Sequence, residues 1–130
     1  MKSYRDFIVW QKSVNMVIDV YKLLNSFPDD EKFGLTSQIK RSSMSISYNI
    51  AEGYGRNYTK DYIRFQNIAR GSLYEMQTQL QIEINLKFIN TEDLKSINDV
   101  SKEIEKMLNS LIKKNSQLNN LITLCLKAYA

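Results

Sequence analysis

The sequence predicts an all-α fold, an antiparallel up-down-up-down four-helix bundle, and three observations carry that prediction. Apolar residues recur at alternating spacings of three and four along four long segments, which puts them on one face of a helix with ~3.6 residues per turn. Gly and Pro are scarce, four and one respectively in 130 residues. Few positions can break a helix, and the many tight turns of a strand-rich fold lack the residues to form them. Hydrophobic residues make up 43% of the chain, enough for one core in a chain of one-domain size. Residues 1–130 therefore read as a single domain.

The first helix is expected over about residues 6–26, with Phe7, Trp10, Val14, Val17, Tyr21 and Leu24 as the seam that meets the core. Pro28 stops it, and Asp29, Asp30 and Glu31 put negative charge where a new helix N-terminus welcomes it. The second helix spans about 31–53, with Leu35, Ile39, Ile46 and Ile50 on one side. Gly53 and Gly55 are expected to end it in the left-handed conformation that caps carbonyls. Thr59 reads as the N-cap of a third helix over about 59–88, which carries Tyr62, Phe65, Ala69, Ser72, Met76 and Leu80. Asn90-Thr91-Glu92-Asp93 is a turn and restart signal. The fourth helix spans about 91–119, with Ile97, Ile104, Leu108, Leu111 and Leu118 on one face. The apolar tail from Leu121 to Ala130 either continues that helix or frays. Short connections make successive helices antiparallel.

The residues needed for common chemistries are missing. There is no His, so the Glu-x-x-His di-metal site of helical bundles and any Ser-His or Cys-His nucleophile pair cannot be built. Gly53-x-Gly55 lacks the Lys-Ser/Thr of a phosphate loop. No enzymatic activity, catalytic residue, metal or cofactor is expected. Cys125 is the only cysteine, which excludes an intramolecular disulfide framework and points to a reducing compartment. No apolar run reaches the ~20 residues that span a bilayer, and a cytoplasmic location is expected.

Several surface features are candidates for function. Gln38, Arg41, Ser45, Asn49 and Glu52 form a polar stripe of compact hydrogen-bonders on the second helix. It reads either as a half-buried network that fixes helix register or as a polar pocket or RNA-contacting groove. Antiparallel pairing sets Glu75 within reach of Gln38 and Arg41, and Gly71-Ser72 marks a close helix crossing. Val9, Met16, Val20 and Leu23 make a second apolar stripe on the first helix, covered either by the C-terminal tail or by another copy of the chain. Lys95, Lys102, Lys106 and Lys113 align on the last helix, but Glu92, Asp99 and Glu103 lie beside them, as on a solvated, ion-paired face. Arg56, Lys60 and Arg64, with Tyr54, Tyr58 and Tyr62 interleaved, are the better nucleic-acid candidate. Cations hold phosphate while aromatic rings stack on unpaired bases. Lys plus Arg number 18 against 14 Asp plus Glu, a formal charge of +4, which is compatible with a polyanionic partner.

Five stretches then stand out together: Val9-Trp10-Gln11-Lys12; Phe27-Pro28 with Glu31; Gly34-Leu35-Thr36-Ser37-Gln38-Ile39-Lys40-Arg41; Ser45-Ile46-Ser47-Tyr48-Asn49-Ile50-Ala51-Glu52-Gly53; and Ile68-Ala69-Arg70-Gly71-Ser72-Leu73-Tyr74-Glu75. In order and spacing they resemble the bacterial four-helix-bundle family encoded by intervening sequences within large-subunit ribosomal RNA genes, often labelled S23-type ribosomal proteins. The resemblance implies a homopentamer and leaves biochemical function unassigned, the label reflecting gene location. The family is similar in architecture to the accessory protein of diversity-generating retroelements, a basic pentamer thought to bind RNA and a reverse transcriptase. The expected function is a non-enzymatic oligomer that binds RNA through a basic surface. The alternative is a structural or protein-interaction scaffold with no nucleic-acid role.

Overall fold

The computed structural model describes residues 2–27 and 34–129. Four long helices, α1 (Ile8–Leu24), α2 (Leu35–Tyr54), α3 (Thr59–Asn85) and α4 (Lys95–Ala128), follow one another with no strand among the described residues. Short 3-10 helices precede α1 (Tyr4–Asp6) and α4 (Thr91–Leu94). The expected stop at Pro28 and the acidic start at Asp29-Asp30-Glu31 lie outside the described residues. The helices pack in the antiparallel sense: Lys12 meets Glu103 across α1 and α4, Ser45 meets Ser72 across α2 and α3, and Asn115 meets Gln66 across α3 and α4.

Local chemistry accounts for the helix ends. Ser3 caps the first 3-10 helix by accepting from the Arg5 amide at 3.2 Å, and Asp6 reaches back to the Ser3 amide at 3.1 Å. Asn90 and Asp93 make the same reciprocal box before α4, which satisfies amides that have no partner within the helix. α3 ends on Lys87, held at φ 65°. The Phe88 amide donates to Glu83 O at 3.1 Å and the Lys87 amide to Ile84 O at 2.9 Å, the paired bonds of a left-handed helix terminus. The N-cap of α3 is Tyr58 and not the expected Thr59, and no side chain caps it.

The core is built from the expected seams of α2, α3 and α4, with Ile39, Ile46, Ile50, Ala69, Met76, Leu80, Ile97, Ile104 and Leu108 all buried. On α1 the expectation holds for Leu24, which is buried, and for Phe7 and Trp10, which pack against the core, but the centre of the interface is the other stripe. Val9, Met16 and Val20 are 4%, 1% and 0% exposed, and Leu23 packs against the same core from a half-buried position. Trp10, Val14, Val17 and Tyr21 are only half-buried. The true seam, Val9-Ser13-Met16-Val20-Leu24, runs through a serine. Ser13 is fully buried and donates to Trp10 O at 2.7 Å, so its hydroxyl is satisfied and costs the core little. The stripe for which the C-terminal tail or another copy was the expected cover is thus the subunit's own interior.

Two further expectations are corrected. Gly53 and Gly55 do not adopt a left-handed cap; no described glycine has a positive φ. Gly53 lies inside α2, and a Cβ there would stand 3.0 Å from Phe65 Cβ, so the missing side chain is what lets α3 approach. The close crossing near residues 71–72 is made by Ser72, whose Oγ lies 2.8 Å from Ser45 Oγ. Gly71 faces open space, with nothing within 4 Å of an added Cβ. The two glycines therefore respond oppositely to substitution. Gly53→Val is expected to cost about 1–3 kcal/mol through overpacking, whereas Gly71→Ala is expected to stabilise by about 1 kcal/mol through helix propensity. Chemical denaturation of the two variants checks both signs.

Candidate nucleic-acid-binding end of the bundle

The α2–α3 turn gathers the candidate residues at one end. α2 carries Tyr54 on its last turn, Arg56 sits in the turn, and α3 presents Lys60 and Arg64 one turn apart. The carbon at the centre of the Arg56 guanidinium lies 4.6 Å from the Phe65 ring centroid, and that of Arg64 lies 5.0 Å from it. Two cations thus rest on one aromatic side chain, an arrangement that the ring quadrupole favours. Arg56 Nη2 also donates to Glu52 Oε2 at 3.1 Å; this pair is exposed and of the kind worth only about 0.3–0.5 kcal/mol. Lys60 is exposed, and Tyr58 is 73% exposed beside it.

The other tyrosines at this end are structural. Tyr54 is half-buried and meets Phe7 edge-on at 5.3 Å and Tyr4 at 6.5 Å, which ties the N-terminal segment to the turn. Arg5 lies over the Tyr4 ring at 4.8 Å, adding a cation to the same neighbourhood. Tyr62 is half-buried. Burial pushes its phenol above the usual range, a hydrogen bond with Gln66 pulls it part of the way back, and the Tyr54 phenol adds to the rise. Tyr58 is thus the free ring of the group, and Tyr54 is committed to packing.

The polar stripe of α2 divides in two. Ser45 and Asn49 are half-buried and hydrogen-bonded: Asn49 Nδ2 donates to Ser45 O at 2.7 Å, and Ser45 meets Ser72. Gln38, Arg41 and Glu52 are exposed. Arg41 and Glu75 form no ion pair with each other; both are exposed, and Glu75 Oε1 accepts from Gln79 on its own helix at 3.2 Å. The link expected there is made one residue further on, where Ser42 Oγ donates to Gln79 Oε1 at 2.7 Å inside the interface. The helix faces explain the miss. Ser45 faces Ser72 and Ser42 faces Gln79 across the interface, whereas Arg41 and Glu75 both lie on exposed faces of their helices.

Sequence reasoning also missed the polar bonds that tie α3 to α4. Gln77 Nε2 donates to Ser101 Oγ at 2.6 Å and to Glu105 Oε1 at 3.2 Å, and Arg70 Nη1 donates to Asn109 Oδ1 at 3.0 Å. Gln and Asn carry no periodic signal of their own, so only their occurrence near an apolar seam could have suggested them. The lysines of α4 are exposed. Glu103 pairs with Lys12 on α1 at 2.7 Å, and not with a lysine of its own helix. Among the described residues no group of three His, Cys, Asp or Glu could hold a metal, and no helix is long and apolar enough to cross a membrane.

Residues 5–110 match the family model described as 23S rRNA-intervening sequence protein. The fold is also similar to the crystal structure of a protein of unknown function from the S23 ribosomal protein family of Bacteroides thetaiotaomicron. The two are 34% identical with a TM-score of 0.76, over 82% of this chain and 96% of that one. No curated protein matches the chain.

The exposed position of Glu75 leads to a direct test. Glu75→Ala is expected to leave stability within about 0.5 kcal/mol of the wild type, as surface substitutions do. Ser42→Val removes the donor to the buried Gln79 carbonyl and is expected to cost about 1–3 kcal/mol. Urea denaturation midpoints distinguish the two.

Proposed function

The chain belongs to the 23S rRNA-intervening sequence protein family, and on that premise we propose that this non-catalytic bundle works as a homo-oligomer that binds RNA through the Arg56–Arg64 end of each copy. One observation carries the reading. Arg56 in the α2–α3 turn and Lys60 and Arg64 one helical turn apart on α3 flank the exposed Tyr58 in the chain. Guanidinium groups laid over Phe65 are oriented in advance, with N–H edges available to phosphate oxygens. Tyr58 supplies a stacking face for an unpaired base. Tyr54 supports this end as packing. Five copies, the number that the family resemblance implies, would turn a charge of +4 per chain into a strongly basic particle whose sites act together. Val9, Met16 and Val20 are buried within the subunit, so association uses other surfaces.

A gel shift with a structured ribosomal RNA fragment, repeated from 50 to 200 mM salt, tests the reading. Binding is expected to weaken steeply with salt. Lys60→Ala with Arg64→Ala is expected to flatten the dependence by roughly 0.7–0.9 in logarithmic slope for each phosphate contact removed. Tyr58→Ala is expected to weaken binding by about 1–3 kcal/mol with the slope kept. Absence of a shift at low salt overturns RNA binding, and an equal loss in a Lys95→Ala, Lys102→Ala control moves the site off this end.

A further inference from the structure

The outward side of α1 and α2 carries a groove that the bundle leaves open. Its volume is about 370 Å³, with Trp10, Val14 and Ile18 of α1 on one wall and Met44, Tyr48 and Ala51 of α2 on the other. A second hollow of about 360 Å³ continues it. Tyr4, Tyr48 and Ala51 line both, and Glu52 and Gly55 bring the second to the edge of the α2–α3 turn. Arg56 follows Gly55 directly, so the groove opens onto the basic end. At its other end, one turn before Met44, stands Lys40, whose ammonium lies 5.0 Å from the Tyr21 ring centroid. From Lys40 to Tyr54, the last residue of α2, is about 21 Å at ~1.5 Å per residue.

The groove offers bare aromatic surface. Tyr48 is 61% exposed and turns its hydroxyl toward Met44 Sδ at 3.6 Å, which lays the ring along α2. Trp10 is half-buried on the facing wall, edge to face with Tyr4 at 5.2 Å. The charge around these rings is cationic. Arg5 lies over the Tyr4 ring at 4.8 Å, and exposed Arg41 follows Lys40 at the far end. Of the acids, Glu52 is part of the lining but is paired with Arg56 at 3.1 Å. The Asp6 carboxylate is turned to the Lys2 and Ser3 amides at 3.0 and 3.1 Å. Asp19 lies about 180° round α1 from Trp10 at ~100° per residue.

We propose that this groove receives the unpaired strand of a bound RNA, with bases against Tyr48 and Trp10 and phosphates at Arg5, Arg56 and Lys40. The proposal rests on the RNA-binding reading and deepens it: the ligand class becomes single-stranded RNA, and Tyr48 and Lys40 join the contacts. Unpaired bases stack on aromatic rings whatever their identity, while cations hold the backbone. Cations at both ends of the groove fit a strand whose charge repeats along its length. The distance of about 21 Å takes up to about six nucleotides at the ~3.4 Å spacing of a stacked strand. An A-form duplex keeps its base faces inside its own stack and presents edges and backbone, so it gains nothing from Tyr48. An apolar protein helix fills the floor of such a groove but gives the cations at its two ends no counterpart.

Trp10 is the single tryptophan of the chain, so its emission reports on this groove alone. The full chain is titrated at low salt with a short oligouridylate and with an RNA duplex of the same length, followed by emission and by gel shift. The oligouridylate is expected to quench Trp10 and to bind more tightly than the duplex. Tyr48→Ala is expected to weaken its binding about tenfold, and Lys40→Ala to lower the logarithmic salt slope by about 0.7. Circular dichroism checks the helices and light scattering the mass; Lys40→Ala carries the test by itself where Tyr48→Ala loses its fold. Absence of binding to either RNA overturns the proposal and the RNA-binding reading together. Binding that falls in Lys60→Ala with Arg64→Ala but not in Tyr48→Ala or Lys40→Ala, or that leaves Trp10 emission unchanged, overturns the groove alone. So does a duplex bound as tightly as the oligouridylate. A loss of particle mass in folded Tyr48→Ala makes the groove a contact between copies and overturns the proposal as well.

Discussion

α2 and α3 pack through atoms that leave no room for anything larger, and the rest of the molecule is arranged around that contact. Gly53 lies against Phe65, Ser45 against Ser72, and Ser42 against Gln79. The serine hydroxyls are satisfied: Ser42 shares its one proton between Gln79 Oε1 at 2.7 Å and Ile39 O at 3.1 Å, and Ser43 donates to Lys40 O at 2.8 Å. Small side chains that bond back to their own helix can be buried without leaving a polar atom stranded. The price in helix propensity is modest, a few tenths of a kcal/mol per serine.

That contact sets the register, and the register places the basic end. With Gly53 tight on α3, the turn that follows carries Arg56 back over Phe65, where Arg64 also lies. Tyr54, one residue beyond Gly53, faces Phe7 and Tyr4, so the N-terminal 3-10 helix is fastened to the same corner. A single close approach thus brings together side chains from the first residues, the central turn and the start of α3. It also leaves Tyr58 and Lys60 outside, where a polyanion can reach them.

Much of this was legible beforehand. The helix count, the order of elements and the seams of α2, α3 and α4 follow from spacings of three and four, because a half-buried helix must keep its apolar residues on one side. The restart at Asn90 and Asp93 was legible as well, since its capping box is local chemistry. On α1, two stripes share the helical period, and Trp10, Val14, Val17 and Tyr21 are the bulkier set. A helix between two neighbours needs a wide apolar arc, and bulk alone does not decide which part of that arc faces the centre. Ser13 in the true seam hid it. The Arg41–Glu75 pairing failed for a related reason: the rotation of α2 about its own axis, which turns Ser42 inward and leaves Arg41 exposed, is invisible to either sequence taken alone.

By itself the sequence determined the helices, their order and the absence of histidine, because these depend on residue types and on spacing within one segment. Only the tertiary structure decided which stripe of α1 is interior, that Gly53 and not Gly71 is the point of closest approach, and that Ser42 and not Arg41 reaches across to α3. Each of these depends on how far one helix slides and rotates against another. That is settled by packing between segments distant in sequence, where a small side chain counts for as much as a large one.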